Sequence, residues 1–185
     1  MRDISLHLLD LAQNAIRAGA KHVAMSLRLS PEGELCISLS DDGCGMDEAL
    51  LKGAGDPFVT SRVTRRVGLG IPLARANAQS AGGWLTVDSA PGQGCLVQMM
   101  FNTAHIDCLP LGALDQTVLS LIQMNPEAPE FSLRLSSPAG ESDFDTAQIR
   151  AVLGPEVPLN EPEVISYLSQ TLSGQLRSIL GGIVD

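Results

Sequence analysis

Apolar side chains recur at helical spacing in the first segment of the chain. Ile4, Leu8, Leu11 and Ala15 follow one another at intervals of three or four residues. This spacing places them on one face of an α-helix. The pattern predicts a helix over residues 3–18, with polar side chains on the opposite face.

Alternation of apolar and polar residues then predicts four strands. "HVAMSLRLS" and "LCISLS" alternate on either side of the turn "SPEG", and "WLTVDS" and "CLVQMMF" flank the turn "APGQG". Segments of this kind, separated by glycine and proline, are typical of paired strands. Between the two pairs, residues 47–52 predict a short helix. "GLGIPLARANAQSAGG" predicts a longer helix that begins and ends at glycines.

The rest of the chain is also patterned as folded structure. Residues 111–124 predict a helix, and "FSLRLSS" and "SDFDT" predict a strand pair across "PAGE". A short helix is expected to begin at Asp145 or Thr146. Asn160 is expected to cap a last helix in a capping-box arrangement, with Pro162 in the first turn and Glu163 three residues on. No catalytic chemistry is predicted here.

Composition narrows the class of protein. The chain has 185 residues, of which 44% are hydrophobic, so we expect a packed core. No apolar run reaches the length of a membrane span, and the N-terminus lacks the form of a secretion signal. The four cysteines are far apart, which argues against a zinc site and fits reduced thiols. These features predict a cytoplasmic protein that does not bind membranes.

The charge is acidic and unevenly distributed. The net charge of −9 argues against nucleic acid as a partner. Residues 1–104 carry a net charge of −1, whereas residues 105–185 carry −8. This shift predicts two units, 1–104 and 105–185. The acidic second unit is the expected surface for a protein partner, although a charged folded unit often serves only solubility.

The predicted first helix carries a polar stripe. His7, Asp10, Asn14 and Arg17 are spaced three, four and three residues apart, which places them on one helix face. A solvated helix face is one interpretation. The other is a site for magnesium and water, because a carboxylate accepts a proton and an amide oxygen ligates magnesium without titrating. Arg17 would then meet a phosphate.

A second group of candidates follows the second predicted strand, in "DDGCGMD". Asp41 can only accept hydrogen bonds when ionised, and Gly43 and Gly45 permit close approach of the backbone to a ligand. Met46 would supply an adaptable apolar wall. An acidic turn at a strand end is the alternative reading of the same residues.

The fifteen residues 53–67 predict a loop, which is long for a compact domain and typical of a functional lid. Arg62, Arg65 and Arg66 lie in it, and "GLGI" at 68–71 begins the next predicted helix. Free N–H groups at a helix start favour phosphate. We therefore expect a lid that closes on a triphosphate, rather than a solvated cluster of charges.

Five segments occur in an order that resembles the histidine-kinase-like ATPase superfamily: "DLAQNAIRAGA", "DDGCGMD", "DPFVTSR", "RRVGLGIPLA" and "SAPGQGCLVQMMF". The resemblance covers residues 1–104. The whole chain also resembles small stand-alone ATP-binding proteins of anaerobic bacteria, often encoded near iron-only hydrogenase genes. The implied fold is the α/β Bergerat fold, an α+β two-layer sandwich. It has a mixed sheet covered on one face by helices, here with a small α/β C-terminal extension.

The resemblance also implies roles for individual residues. Asp41 would accept the exocyclic amine of adenine, Asn14 would hold Mg²⁺, and Asp10 would be the catalytic base. Phe58 would pack the lid. Other residues implied to bind ATP are Arg17, Gly43, Gly45, Met46, Thr60, Ser61, Arg62, Gly68, Leu69, Gly70 and Gly94. Cys95 stands where related proteins often have threonine, and Asp10 where other branches have a longer glutamate.

Three functions follow from this resemblance and stay open at the sequence level. The protein is a slow, magnesium-dependent ATPase that acts as a nucleotide-controlled regulatory switch, a serine kinase of the anti-sigma-factor type, or a module that binds ATP without hydrolysis. A complete sensor kinase is not expected, since the ATP-binding segments begin at His7 with no phosphoacceptor helices before them.

Overall fold

The computed structural model of the chain describes residues 2–53, 70–154 and 156–183. Its helices and strands, in chain order, are α1 Ile4–Arg17, β1 His22–Leu29, β2 Glu34–Asp41, α2 Glu48–Gly53, α3 Gly70–Ser80, β3 Trp84–Ser89, β4 Cys95–Asn102, α4 Leu114–Met124, β5 Glu130–Ser137, β6 Gly140–Asp145, α5 Thr146–Leu153 and α6 Pro162–Leu180.

The helices begin and end where local chemistry allows. The Asp3 side chain caps α1 by accepting the N–H of Leu6 at 2.9 Å, and Asp145 caps α5 in the same way through Ala147. α6 differs from the prediction. Its N-cap is Glu161, with no side-chain bond, and not Asn160. Because proline favours the first helical position, Pro162 places the cap one residue later than the capping box requires.

The six strands form a single sheet in the order β3-β4-β2-β1-β5-β6. β1 and β5 are parallel, and the other four neighbouring pairs are antiparallel. The predicted mixed sheet is therefore confirmed. The two strands in its centre, β2 and β1, are joined by the short turn at residues 30–33.

Helices cover one face of this sheet. Alternate strand residues are buried on that face; they include Val23, Met25, Leu27, Leu35, Ile37, Leu39, Val97, Met99, Phe101, Phe131, Leu133 and Leu135. α1, α3 and α6 pack on the strands, and α4 packs against α1 and α6. Side chains such as Ser26, Ser38 and Arg134 line a concavity of about 400 Å³ on the other face.

The sheet continues across residue 104, where the charge changes. β1 pairs along its length with β5, from His22 opposite Glu130 to Arg28 opposite Ser136. The buried apolar residues also form one continuous core. The division into units at residue 104 stays a prediction about the sequence, and strands from both sides of it share one sheet.

Two absences apply to the described residues. None of their helices is long and apolar enough to cross a membrane. In the same ranges, no three His, Cys, Asp or Glu side chains lie together as a ready-made metal centre.

Candidate functional site

Three members of the predicted polar stripe of α1 reach the surface at least in part, but its first member, His7, is buried. Asp10, Asn14 and Arg17 lie on successive turns of the helix. The Arg17 guanidinium donates from Nη1 to Asn14 Oδ1 at 2.8 Å, and from Nη2 to Gln13 Oε1 at 3.3 Å. Arg17 is exposed, so this contact is open to exchange with a ligand.

The loop that follows β2 lies against the C-terminal end of α1. The Cys44 N–H donates to the carbonyl of Ala18 at 3.0 Å. Gly43 is buried there, and a Cβ on it would stand 2.9 Å from the Cβ of Ala18 and 2.9 Å from Asp41 Oδ1. A side chain at position 43 would therefore push the loop away from α1. The helix and the loop, far apart in sequence, meet at this point.

The same loop interlocks with the turn between β3 and β4. Gly45 and Gly94 have positive φ angles of 66° and 75°. A Cβ on Gly45 would collide with the carbonyl oxygen of Ala90, and one on Gly94 with the carbonyl oxygen of Asp41. Both positions therefore require glycine for conformation and for space.

Ser89, which the sequence did not single out, fastens this contact. Its hydroxyl accepts the Met46 N–H at 2.9 Å and donates to the Gly94 carbonyl at 2.6 Å. Met46 is partly buried against the core, where its side chain forms an apolar border of the loop. This role left no signal in the sequence, because Ser89 reads as an ordinary polar residue at the end of a strand.

The start of α3 lies against Asp10. A Cβ on Gly70 would collide with Asp10 Oδ2, so glycine lets the first turn of α3 approach the carboxylate directly. Asp10 Oδ2 is buried and has no hydrogen-bond partner among the described residues. A buried oxygen of this kind is costly to leave unpaired, which marks the place as a site for a further group.

The ionisable groups near the loop are perturbed by burial. Burial raises the pKa of Asp41, although the backbone N–H of Gly43 donates to its carboxylate at 2.9 Å. Burial and the neighbouring Asp41 raise the pKa of Cys95 to about 11, so its thiol stays protonated. The Asp41 carboxylate therefore accepts hydrogen bonds from backbone N–H groups, and no cationic side chain is among its described partners.

Asp42, to which the sequence assigned no role, ties the loop to the start of β1. Its carboxylate accepts the backbone N–H groups of Lys21 and His22 at 2.6 and 2.9 Å, and contacts His22 Nδ1 at 2.9 Å. The hydrogen bond from the His22 side chain is the main reason why the pKa of Asp42 falls to about 2. The partners lie about twenty residues away, so sequence spacing could not reveal them.

The structure therefore brings together α1, the loop after β2, the start of α3 and the β3–β4 turn. Part of the predicted site lies outside the described residues: Phe58, Thr60, Ser61, Arg62, Gly68 and Leu69, with the predicted lid. The assignment of these residues to ATP binding stays a prediction.

Comparison with known families agrees with the arrangement. Residues 2–105 match the family described as histidine kinase-, DNA gyrase B- and HSP90-like ATPase. The match covers more than half of the chain, and the chain belongs to this family.

Relatives in sequence include two bacterial kinases. The cell-division control histidine kinase PdhS of Brucella ovis is 29% identical over 120 residues, which are 57% of this chain and 12% of PdhS. The signal transduction histidine-protein kinase AtoS of Escherichia coli is 33% identical over 94 residues, 51% of this chain and 15% of AtoS. The chain thus corresponds to a small part of the length of these relatives.

Among solved structures, the N-terminal domain of a DNA repair protein shares the fold. It matches with a TM-score of 0.53 at 14% identity, over 78% of this chain and 52% of that protein. This is more of the chain than the family match spans, so the likeness in fold extends beyond residue 105.

Proposed function

We propose that this protein binds ATP with magnesium, hydrolyses it slowly and acts as a nucleotide-controlled regulatory switch. The observation that carries the proposal is the meeting of α1 with the Asp41 loop at Ala18 and with α3 at Gly70. These elements hold the three chemical requirements of the reaction, namely an acceptor for adenine, an oxygen for the cation and a base for water.

Asp41 is suited to recognise adenine. Its carboxylate accepts hydrogen bonds only, so it pairs with the exocyclic amine of adenine and rejects the carbonyl that guanine presents there. Burial already raises the pKa of Asp41, which means that its charge is poorly solvated in the free protein. An amine donor from the base would relieve that cost. Met46 borders the same loop and would contact the ring.

The donor set of the site fits magnesium. Asn14 offers an amide oxygen whose one hydrogen-bond donor within the described ranges is the exposed Arg17 guanidinium. Magnesium is usually bound by one or two protein oxygens together with phosphates and water, so a preformed carboxylate cluster is not needed. When bound, the ion neutralises phosphate charge. Arg17, released from Asn14, would turn its donors to a phosphate oxygen.

Asp10 is the proposed general base. The carboxylate lies at the first turn of α3, where one of its oxygens can orient a water and accept its proton. Aspartate is one methylene shorter than the glutamate of related branches. A retraction of about 1 Å can reduce a rate about a hundredfold, which is why we expect slow turnover.

Phosphoryl transfer to a protein is the second candidate, and the relatives favour it. PdhS and AtoS are named as histidine kinases, and they match this chain over 57% and 51% of its length. Such a transfer would use the same bound nucleotide with a serine of a partner as acceptor. The acidic residues 105–185 are the proposed surface for that partner.

A titration of the full chain with ATP and GTP, with and without magnesium, tests the proposal. We expect binding of ATP that requires magnesium and is at least about tenfold tighter than binding of GTP, since one discriminating hydrogen bond is worth about 1.4 kcal/mol or more. Equal affinity for the two nucleotides, or no dependence on magnesium, would contradict the site.

Assays of the parent chain and of the Asp10→Asn variant distinguish hydrolysis, phosphoryl transfer to a protein and binding alone. If Asp10 is the base, the variant binds Mg·ATP like the parent chain but releases no phosphate. Undiminished phosphate release would show that Asp10 is not the base. Label transferred to a partner protein supports the kinase, and tight binding with neither product supports a binding module.

A further inference from the structure

A buried polar contact joins α1 to α3 beside Asp10. His7 is only 1% exposed, and its Nε2 atom receives a hydrogen bond from Asn77 Nδ2 at 2.8 Å. Asn77 lies two turns after Gly70 on α3. The same two helices are therefore in contact at both points, His7 with Asn77 and Asp10 with Gly70.

This contact fixes the state of the imidazole. Burial lowers the pKa of His7, so the ring is neutral and carries one proton. Since Nε2 accepts from Asn77, that proton is on Nδ1. His7 Nδ1 is itself buried and has no hydrogen-bond partner among the described residues. The ring thus presents a buried donor that no described residue accepts from.

A complementary acceptor lies one turn further along α1. Asp10 is three residues after His7, and side chains with this spacing are neighbours on a helix surface. Asp10 Oδ2 is a buried acceptor without a partner in the described part of the chain, and the Asp10 charge is close enough to act on His7. A donor and an acceptor on adjacent turns can satisfy each other through a single water when the space between them admits one.

We propose that His7 is a positioning residue for Asp10, and that His7 Nδ1–H holds Asp10 Oδ2 through one enclosed water. The proposal rests on the proposed function, in which Asp10 is the base. The contact would fix the rotamer of the carboxylate and leave Oδ1 to the attacking water. Asn77, by setting the tautomer of His7, would couple the position of α3 to the alignment of the base.

The tautomer and its dependence on Asp10 can be measured without nucleotide. In ¹⁵N NMR spectra of the full chain, we expect His7 to be neutral with its proton on Nδ1. The Nδ1 resonance should shift in Asp10→Asn and much less in Asp3→Asn, which removes a charge one turn before His7. A proton on Nε2, or an Nδ1 resonance that ignores Asp10→Asn, would overturn the proposal.

Two substitutions of His7 separate positioning from simple packing. The amide nitrogen of asparagine stands at the δ position, like Nδ1, whereas the amide of glutamine stands at the ε position, like Nε2. His7→Asn therefore keeps a donor toward Asp10, and His7→Gln keeps only the contact with Asn77. We expect both variants to bind ATP like the parent chain.

Phosphate release then gives the decisive comparison. It should fall about ten- to hundredfold in His7→Gln and much less in His7→Asn, since small displacements of a base cost rates of this size. The opposite order, or equal losses, would mean that His7 only packs α1 on α3. A parent chain that binds ATP without releasing phosphate would contradict hydrolysis, while the NMR result would still decide whether His7 holds Asp10.

Discussion

Asp41 and Glu130 are half-buried carboxylates on the two strands that flank β1, and they lie beside its first residues. They differ in the hydrogen-bond donors around them. Glu130, opposite His22, accepts from Arg150 Nε at 2.8 Å and from the Thr146 hydroxyl at 2.5 Å. Burial alone would raise the pKa of Glu130, but these donors outweigh burial and lower it. Asp41, on the other neighbour of β1, has only backbone donors among the residues that the structure describes, and burial raises its pKa.

The difference in hydrogen-bond donors distinguishes a carboxylate that stabilises the fold from one that is suited to bind a ligand. A carboxylate with a cation and a hydroxyl around it stabilises the fold, whereas one left with few donors costs stability unless a ligand completes it. Asp10, with its unpaired buried oxygen, falls in the second class. The residues after 104 thus contribute to the sheet a carboxylate whose hydrogen bonds are satisfied. The residues before 104 hold incompletely satisfied carboxylates where α1 meets the loop after β2 and α3.

The largest expected effect is on ligand binding at Asn14. Asn14→Ala removes the only amide oxygen proposed for magnesium, so affinity for Mg·ATP should fall about a hundredfold, or about 2.7 kcal/mol. Isothermal titration calorimetry would measure it. Gln13→Ala is the matched control, because Gln13 also accepts from Arg17, at 3.3 Å. Comparable losses in both variants would contradict the assignment of Asn14.

Glu130→Gln should act on stability and not on nucleotide. It removes the ion pair with Arg150, whose two side chains are 27% and 21% exposed, and should lower the free energy of unfolding by about 2 kcal/mol. Because the fold lowers the pKa of Glu130, the deficit is full at neutral pH and shrinks as pH falls through that pKa. Urea unfolding at several pH values tests this. A change in ATP affinity in Glu130→Gln would contradict the claim that Glu130, unlike Asp41, has no part in nucleotide binding.

Asp41→Asn should give the opposite pair of effects. Preference for ATP over GTP should fall about tenfold, since an amide no longer demands a donor from the base. Since the fold raises the pKa of Asp41, the free variant should be slightly more stable than the parent at neutral pH. That gain disappears as pH falls through the raised pKa. Thermal unfolding and nucleotide titration test the two statements; unchanged selectivity would remove Asp41 from adenine recognition.

The smallest effect is expected at Gly174, inside α6. A Cβ there meets nothing within 4 Å, so Gly174→Ala should raise the free energy of unfolding by about 0.5–1 kcal/mol without changing ATP binding. Gly154→Ala is the control, because that position is equally open but has a φ of 81°. It should destabilise the chain. A gain in both variants would mean that backbone strain is not the deciding term.

The sequence predicted what depends on local pattern. The period of α1 and the alternation of the β1–β4 strands follow from neighbouring residues, and these elements were found close to their predicted bounds. The convergence of the Asp41 loop on α1 was expected from the resemblance alone.

What the sequence did not predict depends on distant contacts. Nothing local indicates that β5 joins β1 in parallel, because the pairing spans about a hundred residues. The same holds for Asp42 with His22 and for His7 with Asn77. The cap of α6 was wrong for a local reason, since two signals, Asn160 and Pro162, competed and the proline prevailed.

The parallel pairing of β1 with β5 has a practical consequence for excision of the ATPase segment. A chain cut after residue 105, where the family match ends, would lose the partner of residues 22–28 and the apolar cover given by Phe131, Leu133 and Leu135. Bare strand edges recruit other strands. The excised piece should aggregate or dimerise through β1, so nucleotide experiments need a chain that keeps β5.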